Sequence, residues 1–299
     1  MDRSKLPTEE RNPASADLDR LGTQAAVALI QAEDRAIHDA LALAQKEIAA
    51  AVDLIAARLA KGGRLFYLGA GTSGRLAMLD AVECPPTFQS APELVQAVIA
   101  GGSAALTGAV EGAEDDESSA ARELESRGFS SRDVLFGIAA SGTTPFVRAG
   151  LEFARARGAA SVFLACVPRA LVDDKADVSI RVVTGPEVLT GSTRLKAGTA
   201  TKLVLNTIST LVMVRLGKVH GNRMVAVHTR GNVKLAERGL RLVMELCACE
   251  REAASRSLDA AEGQVQVAVL MQRLGLDAQA ARAQLEQSGG SLRAALGES

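Results

Sequence analysis

The stretch Leu65-Phe-Tyr-Leu-Gly-Ala-Gly-Thr-Ser-Gly-Arg-Leu-Ala-Met-Leu-Asp-Ala-Val-Glu-Cys-Pro-Pro-Thr-Phe88 decides the reading of this chain. The apolar run Leu65 to Leu68 reads as a buried strand, Gly69, Gly71 and Gly74 turn the chain, and a helical periodicity starts at Leu76. A strand, a glycine turn and a helix start make a cradle for an anion. Glycines admit close backbone approach, free N–H groups point outward, and the helix dipole favours negative charge. Thr72 and Ser73 add hydroxyl donors. No lysine follows the last glycine, which excludes a P-loop. The glycines fit G-x-G-x-x-G, but no acidic residue closes a second strand within the next ~20 positions, as a dinucleotide site requires. A phosphate on a small molecule fits better. The bland alternative is a plain strand-to-helix turn.

Further along, Leu94 to Ala100, Asp133 to Ala139, Ser161 to Ala165 and Val178 to Val183 read as four more strands. Helical segments separate them, so the expected class is α/β, a parallel sheet with helices on both faces. The third strand ends in Ala140-Ser-Gly-Thr-Thr-Pro145, a second hydroxyl-rich turn before a helix. Ligands of such sheets bind beyond the carboxyl ends of the strands, where both loops lie. A long helix follows Gly191-Ser-Thr-Arg-Leu-Lys196 and runs to Val214. The expected organisation is an N-terminal arm and helices over residues 1–50, the sheet domain over 51–225, and a helical region over 226–299. Residues 1 to about 20 read as an irregular arm and 21–60 as two helices. One helix is expected over 232–254 and three short ones close the chain, similar to a ubiquitin-associated-type bundle.

With 34 basic against 35 acidic residues, the charge balance excludes the basic surplus of a nucleic-acid binder. Aromatics at 3%, with no Trp, disfavour base-stacking platforms and aromatic sugar platforms. No run is expected to span a membrane, and the N-terminus lacks the apolar core of a signal peptide, so a cytoplasmic location is expected. Four scattered cysteines and three histidines show no zinc spacing, and neither a metal nor a redox cofactor is expected.

Several longer motifs carry a resemblance. Leu68-Gly-Ala-Gly-Thr-Ser-Gly-Arg75 and Ala139-Ala-Ser-Gly-Thr143 look like the two sugar-phosphate loops of the sugar isomerase (SIS) domain. Thr8-Glu-x-Arg-Asn12, Leu76 to Phe88, Ile99-Ala-Gly-Gly102, Ala109 to Asp116, Gly185 to Thr199 and Gly221-Asn-x-Met-Val225 extend the likeness over nearly the whole chain. Together they resemble the N-acetylmuramic acid 6-phosphate etherases. The resemblance implies an SIS fold, removal of D-lactate from that sugar phosphate, and a homodimer in which His220 or the N-terminal arm completes the neighbour's site. The chain departs from the family pattern at Val82 (usually Ser), Gln89 (usually Gly), Thr143 (usually Arg) and Ala226 (usually Asp).

An unactivated ether at C3 resists direct displacement. Opening the sugar ring exposes an aldehyde at C1 and acidifies the C2 proton. One carboxylate takes that proton, an acid protonates the departing ether oxygen, and water adds at C3. Such a route needs two carboxyl groups in opposite protonation states. By analogy with the family, Glu83 is the acid and Glu114 the base. Val82, Cys84 and two prolines flank Glu83, an apolar setting expected to keep it protonated. Gly71, Thr72, Ser73, Ser141, Gly142, Thr143 and Thr144 are expected to hold the phosphate. Ser192 and Lys196 either reach the ligand or buttress the loops. Two alternatives remain at this point. A sugar-phosphate isomerase would pass a proton to C1 with His220 as ring-opening base; a non-catalytic sensor would bind the same ligand.

Overall fold

The computed structural model describes residues 5–231 and 233–298. The chain divides into two compact units. The first holds the chain up to Val82 and Glu93–Ser209; the second holds Glu83–Pro92 and the chain from Thr210 onward.

In the first unit, β1 (Leu65–Gly69), β2 (Val95–Ile99), β3 (Val134–Ile138), β4 (Ala160–Ala165) and β5 (Val178–Arg181) form one sheet in the order β2-β1-β3-β4-β5. All pairings are parallel. β1, β3 and β4 are buried along their whole length, which is why they read as unbroken apolar runs rather than alternating ones. One face packs Phe66, Leu68, Leu135, Phe146 and Phe163 into a single core. On the other face Tyr67 meets Phe136 edge-on at 5.5 Å. Its hydroxyl donates to the buried Asp80 of α3 (Gly71–Phe88) at 3.1 Å. Ser209 and Lys202, on α7 (Lys196–Arg215), also donate to Asp80. The sheet, α3 and α7 are thus joined by one carboxylate.

The helices α1 (Thr23–Leu43), α2 (Gln45–Leu59), α4 (Ala104–Thr107), α5 (Glu117–Ser126) and α6 (Pro145–Ala156) complete this unit. The acidic run is solvated as expected, and it also starts α5: Asp116 accepts from the N–H groups of Ser118 and Ser119. By length and composition α7 is apolar enough to cross a membrane, contrary to expectation. It is a core helix, with Ala200, Val204, Leu205, Ile208 and Val212 buried.

The N-terminal arm differs from the irregular tail expected. Leu6 and Thr8 are buried, and Leu6 joins the sheet core. Asn12 caps a short turn through the Ala14 N–H. It also donates to Glu33 Oε2 at 2.7 Å and to the Pro186 carbonyl at 3.2 Å. The arm lacks local periodicity because distant residues order it.

In the second unit β6 (Val219–His220) and β7 (Arg223–Met224) form a hairpin beside the helices α8 (Val233–Cys247), α9 (Arg251–Ala260), α10 (Val265–Leu274), α11 (Ala278–Gln287) and α12 (Leu292–Ala295). The single helix expected over 232–254, whose first residue lies outside the described residues, is broken. Ala248 takes a left-handed conformation at φ 48°, and the Cys249 N–H closes back on the Met244 carbonyl. Glycine normally marks such an end, so an alanine there left no sequence signal.

At the amino ends of the strands, away from the loops, buried Asp133 accepts from the Arg64 N–H and guanidinium and from the Ser130 N–H and hydroxyl. Burial alone would raise this carboxyl; the Arg64 and Ser130 hydrogen bonds outweigh it and hold it below its ordinary value. Its folded-state pKa is depressed. Its contribution is therefore present above the ordinary carboxylate value of about 3.9 and is lost as pH falls through the lower folded value. Asp133→Ala, which leaves Arg64 unpaired, should cost about 3 kcal/mol in urea unfolding at neutral pH. The gap to wild type should shrink in acid; a gap constant down to the acid transition would contradict this role.

Candidate active site

The Gly69 end of β1 and the Ile138 end of β3 stand opposite each other in register. The loops that leave them therefore start level. In the order β2-β1-β3-β4-β5 the chain reverses direction across the sheet between β1 and β3, the place where open α/β sheets bind ligands.

A cavity of about 270 Å³ lies there. Gly71, Thr72 and Ser73 line it from the first loop, Ser141, Thr143 and Thr144 from the second, and Glu9, Glu114, Gly191 and Thr193 from elsewhere. α3 starts at Gly71 and α6 at Pro145, so two helix N-termini face it. First-turn N–H groups lack intrahelical acceptors, and with the dipole they favour an anion. Pro145 suits the first position of α6, where the missing N–H costs nothing. Ser141 Oγ and Thr143 Oγ1 lie 3.0 Å apart, which orients both hydroxyls in one tight turn. Among the described residues, no lysine or arginine lines the cavity. Its described residues offer an anion neutral donors.

Most of the sequence-derived phosphate set thus converges. Gly142 does not line the cavity. It is buried beneath the turn at φ 75°, and a Cβ there would press on Val172 at 3.0 Å. Ser192 and Lys196 do not line it either. Lys196 is buried and paired with Glu33 Oε2 at 2.7 Å, and that lysine holds the Glu33 carboxyl below its ordinary value. The carboxylate of buried Glu187 accepts from the N–H groups of Lys196 and Ala197, each at 2.9 Å, and so caps α7. Lys196 and Glu187 brace the 185–196 loop, and that loop brings Gly191 and Thr193 to the cavity.

The two glutamates part company. Glu114 lines the cavity. Glu83 does not, and the apolar enclosure expected for it is absent: Glu83 and Val82 are exposed while Cys84 is buried. Successive helix residues turn by about 100°, so apolar neighbours in sequence need not share a face. His220 lies in the second unit, 3.5 Å from Glu298 Oε2; burial lowers its pKa, and its Nδ1 is buried without a hydrogen bond. Glu9, outside the residues expected from the sequence, also lines the cavity. Its motif, Thr8-Glu-x-Arg-Asn12, was visible, but nothing local indicated that buried Leu6, Thr8 and Asn12 fix the arm against the sheet domain.

Residues 47–155 match the glucokinase regulatory protein N-terminal SIS domain. A phosphoheptose isomerase from Francisella tularensis superposes with a TM-score of 0.51 at 17% identity, over 65% of this chain and all of that one, a likeness of fold. An N-acetylmuramic acid 6-phosphate etherase of Synechococcus sp. (strain CC9605) is 55% identical over 99% of this chain and 93% of its own length. One from Mycolicibacterium smegmatis (strain ATCC 700084 / mc(2)155) is 50% identical over 99% of each. The chain belongs to the N-acetylmuramic acid 6-phosphate etherase family.

Two departures from the pattern of that etherase family have a visible setting. Gln89 ends α3 at φ 51°, a conformation in which glycine is unstrained and glutamine is not. Thr143 supplies the hydroxyl that pairs with Ser141.

Ser141→Ala removes one donor to a charged acceptor, worth about 1.5–3 kcal/mol, and should weaken inorganic phosphate binding roughly tenfold or more by calorimetry. Ser192→Ala, outside the cavity, should bind phosphate within about twofold of wild type. Equal loss in both variants would misplace the site.

Proposed function

We propose that this chain is a lyase that cleaves the lactyl ether of N-acetylmuramic acid 6-phosphate, giving N-acetylglucosamine 6-phosphate and D-lactate in the cytoplasmic recycling of cell-wall amino sugars. The single observation that carries the reading is the cavity at the β1/β3 ends. It offers donors from two hydroxyl loops and two helix starts to a phosphate, with a carboxylate, Glu114, in its wall. Full-length identity to etherases supplies the substrate class.

The 6-phosphate sits against Thr72, Ser73, Ser141, Thr143 and Thr144. Glu114 removes the C2 proton of the ring-opened sugar, the C3–O bond breaks, and the lactate oxygen takes a proton. Water then adds to C3 of the unsaturated aldehyde, and the proton returns to C2. The acid is Glu83 in this reading. Its exposure is accounted for by a homodimer in which Glu83 serves the neighbouring copy's site. Leu79, one turn before Glu83 on α3, is exposed, and so is the adjacent Val82, at 57%. α1 likewise buries little and exposes Val27 and Ile30. Apolar surface of this kind supports a second copy.

In heavy water, Glu114→Gln should lose both C2 exchange and lactate release, whereas Glu83→Gln should lose lactate release and keep exchange. An acid or base group contributes about 10²–10⁴-fold, so either loss is easily read. If Glu83 acts across the dimer, mixing the two variants should restore about a quarter of wild-type lactate release, since one site of each mixed dimer is intact. No recovery after verified subunit exchange would confine both glutamates to one chain. Full lactate release by both variants would remove them from the chemistry.

A further inference from the structure

A second cavity, of about 330 Å³, adjoins the first and shares Ala70, Gly71 and Glu114 with it. Glu114 therefore stands in the wall of both. The rest of the lining differs in kind. Among the described residues the phosphate cavity has hydroxyls and no basic side chain, whereas the second has Arg75 and Glu111 beside Ala105, Ala109 and Val110. Arg75 is held in place by its own hydrogen bonds: Nε donates to the Ala105 carbonyl at 2.9 Å and Nη2 to the Gly108 carbonyl at 2.7 Å. Nη1 is left to donate elsewhere. Val110 is 41% exposed, an apolar side chain at the cavity wall.

The substrate of the proposed reaction carries two anions. The phosphate is on C6, and the carboxylate belongs to the lactyl group on the C3 oxygen, next to the C2 proton. A carboxylate beside a methyl group calls for a cation beside a small apolar surface. We propose that the Arg75 cavity is the lactyl site: the guanidinium binds the lactyl carboxylate, and Val110 with the neighbouring alanines faces its methyl group. The inference rests on the etherase reading and adds to it. With the phosphate in one cavity and the lactyl group in the other, C2 and C3 lie over the shared wall, at Glu114. The same division explains how the site separates substrate from product. N-acetylglucosamine 6-phosphate keeps the phosphate and lacks the only group that Arg75 binds.

The lactyl carboxylate takes no part in bond breaking, so converting it to an amide alters recognition and leaves the elimination intact. Wild-type enzyme should prefer the carboxylate substrate over its lactamide analogue by roughly tenfold or more in kcat/KM, the loss expected for a charge-assisted hydrogen bond. Arg75→Gln keeps a donor for the carbonyls and removes the charge; it should reduce that preference to below about threefold. Its affinity for N-acetylglucosamine 6-phosphate should stay near wild type. Val110→Asp, a substitution at an exposed position, provides a check independent of the Arg75 contacts. It should penalise the carboxylate substrate and spare the amide. An undiminished preference for the carboxylate in both variants would overturn the proposal, as would a wild-type enzyme indifferent to the amide. Failure of the wild type to release lactate from either compound, despite binding the product, would instead defeat the etherase reading.

Discussion

The closeness of two glycines sets the rest of the site. A Cβ on Gly74 would lie 2.5 Å from Ile99 Cγ1 and 2.8 Å from the Gly69 carbonyl oxygen; one on Gly69 would lie 2.8 Å from the Gly74 nitrogen. Only bare backbone lets the first turn of α3 fold back against the end of β1 and the neighbouring β2. That approach sets the helix start at the carboxyl ends of the strands. β1 is in turn paired in register with β3, so the second loop is delivered at the same level. Tyr67, Ser209 and Lys202 then fix α3 through Asp80. Packing places the loops, and binding follows from where packing put them.

The electrostatics divide along the same line. An anion in the phosphate cavity meets dipoles and hydroxyls, while the formal charges lining it, Glu9 and Glu114, are negative. Fixed dipoles favour an anion in this cavity without a formal positive charge among its described lining residues. The charged residues around the loops are spent on architecture. Lys196 is paired with Glu33, and Glu187 caps α7.

The sheet and its two loops were legible in the sequence because their causes are local. Strands buried on both faces read as apolar runs, and the glycines and hydroxyls of the loops stand next to them. Features with distant causes were not legible. Asn12 joins Pro186 across 174 positions and Leu6 enters the sheet core, and such contacts order the arm that brings Glu9 to the cavity. The α8 end at Ala248 uses a left-handed residue without the usual glycine. Glu83 has apolar neighbours along the chain, yet helix geometry points it to solvent. Sequence adjacency stood in for spatial enclosure there, and it was the wrong proxy.

The reaction proposed above is elimination followed by addition of water at C3 of the sugar phosphate. The most direct measurement is turnover of N-acetylmuramic acid 6-phosphate in water labelled with heavy oxygen, with mass analysis of both products. Elimination followed by addition puts the label on the C3 hydroxyl of N-acetylglucosamine 6-phosphate and none in the lactate. Label in the lactate hydroxyl would mean that water attacked the lactate carbon and that no elimination took place.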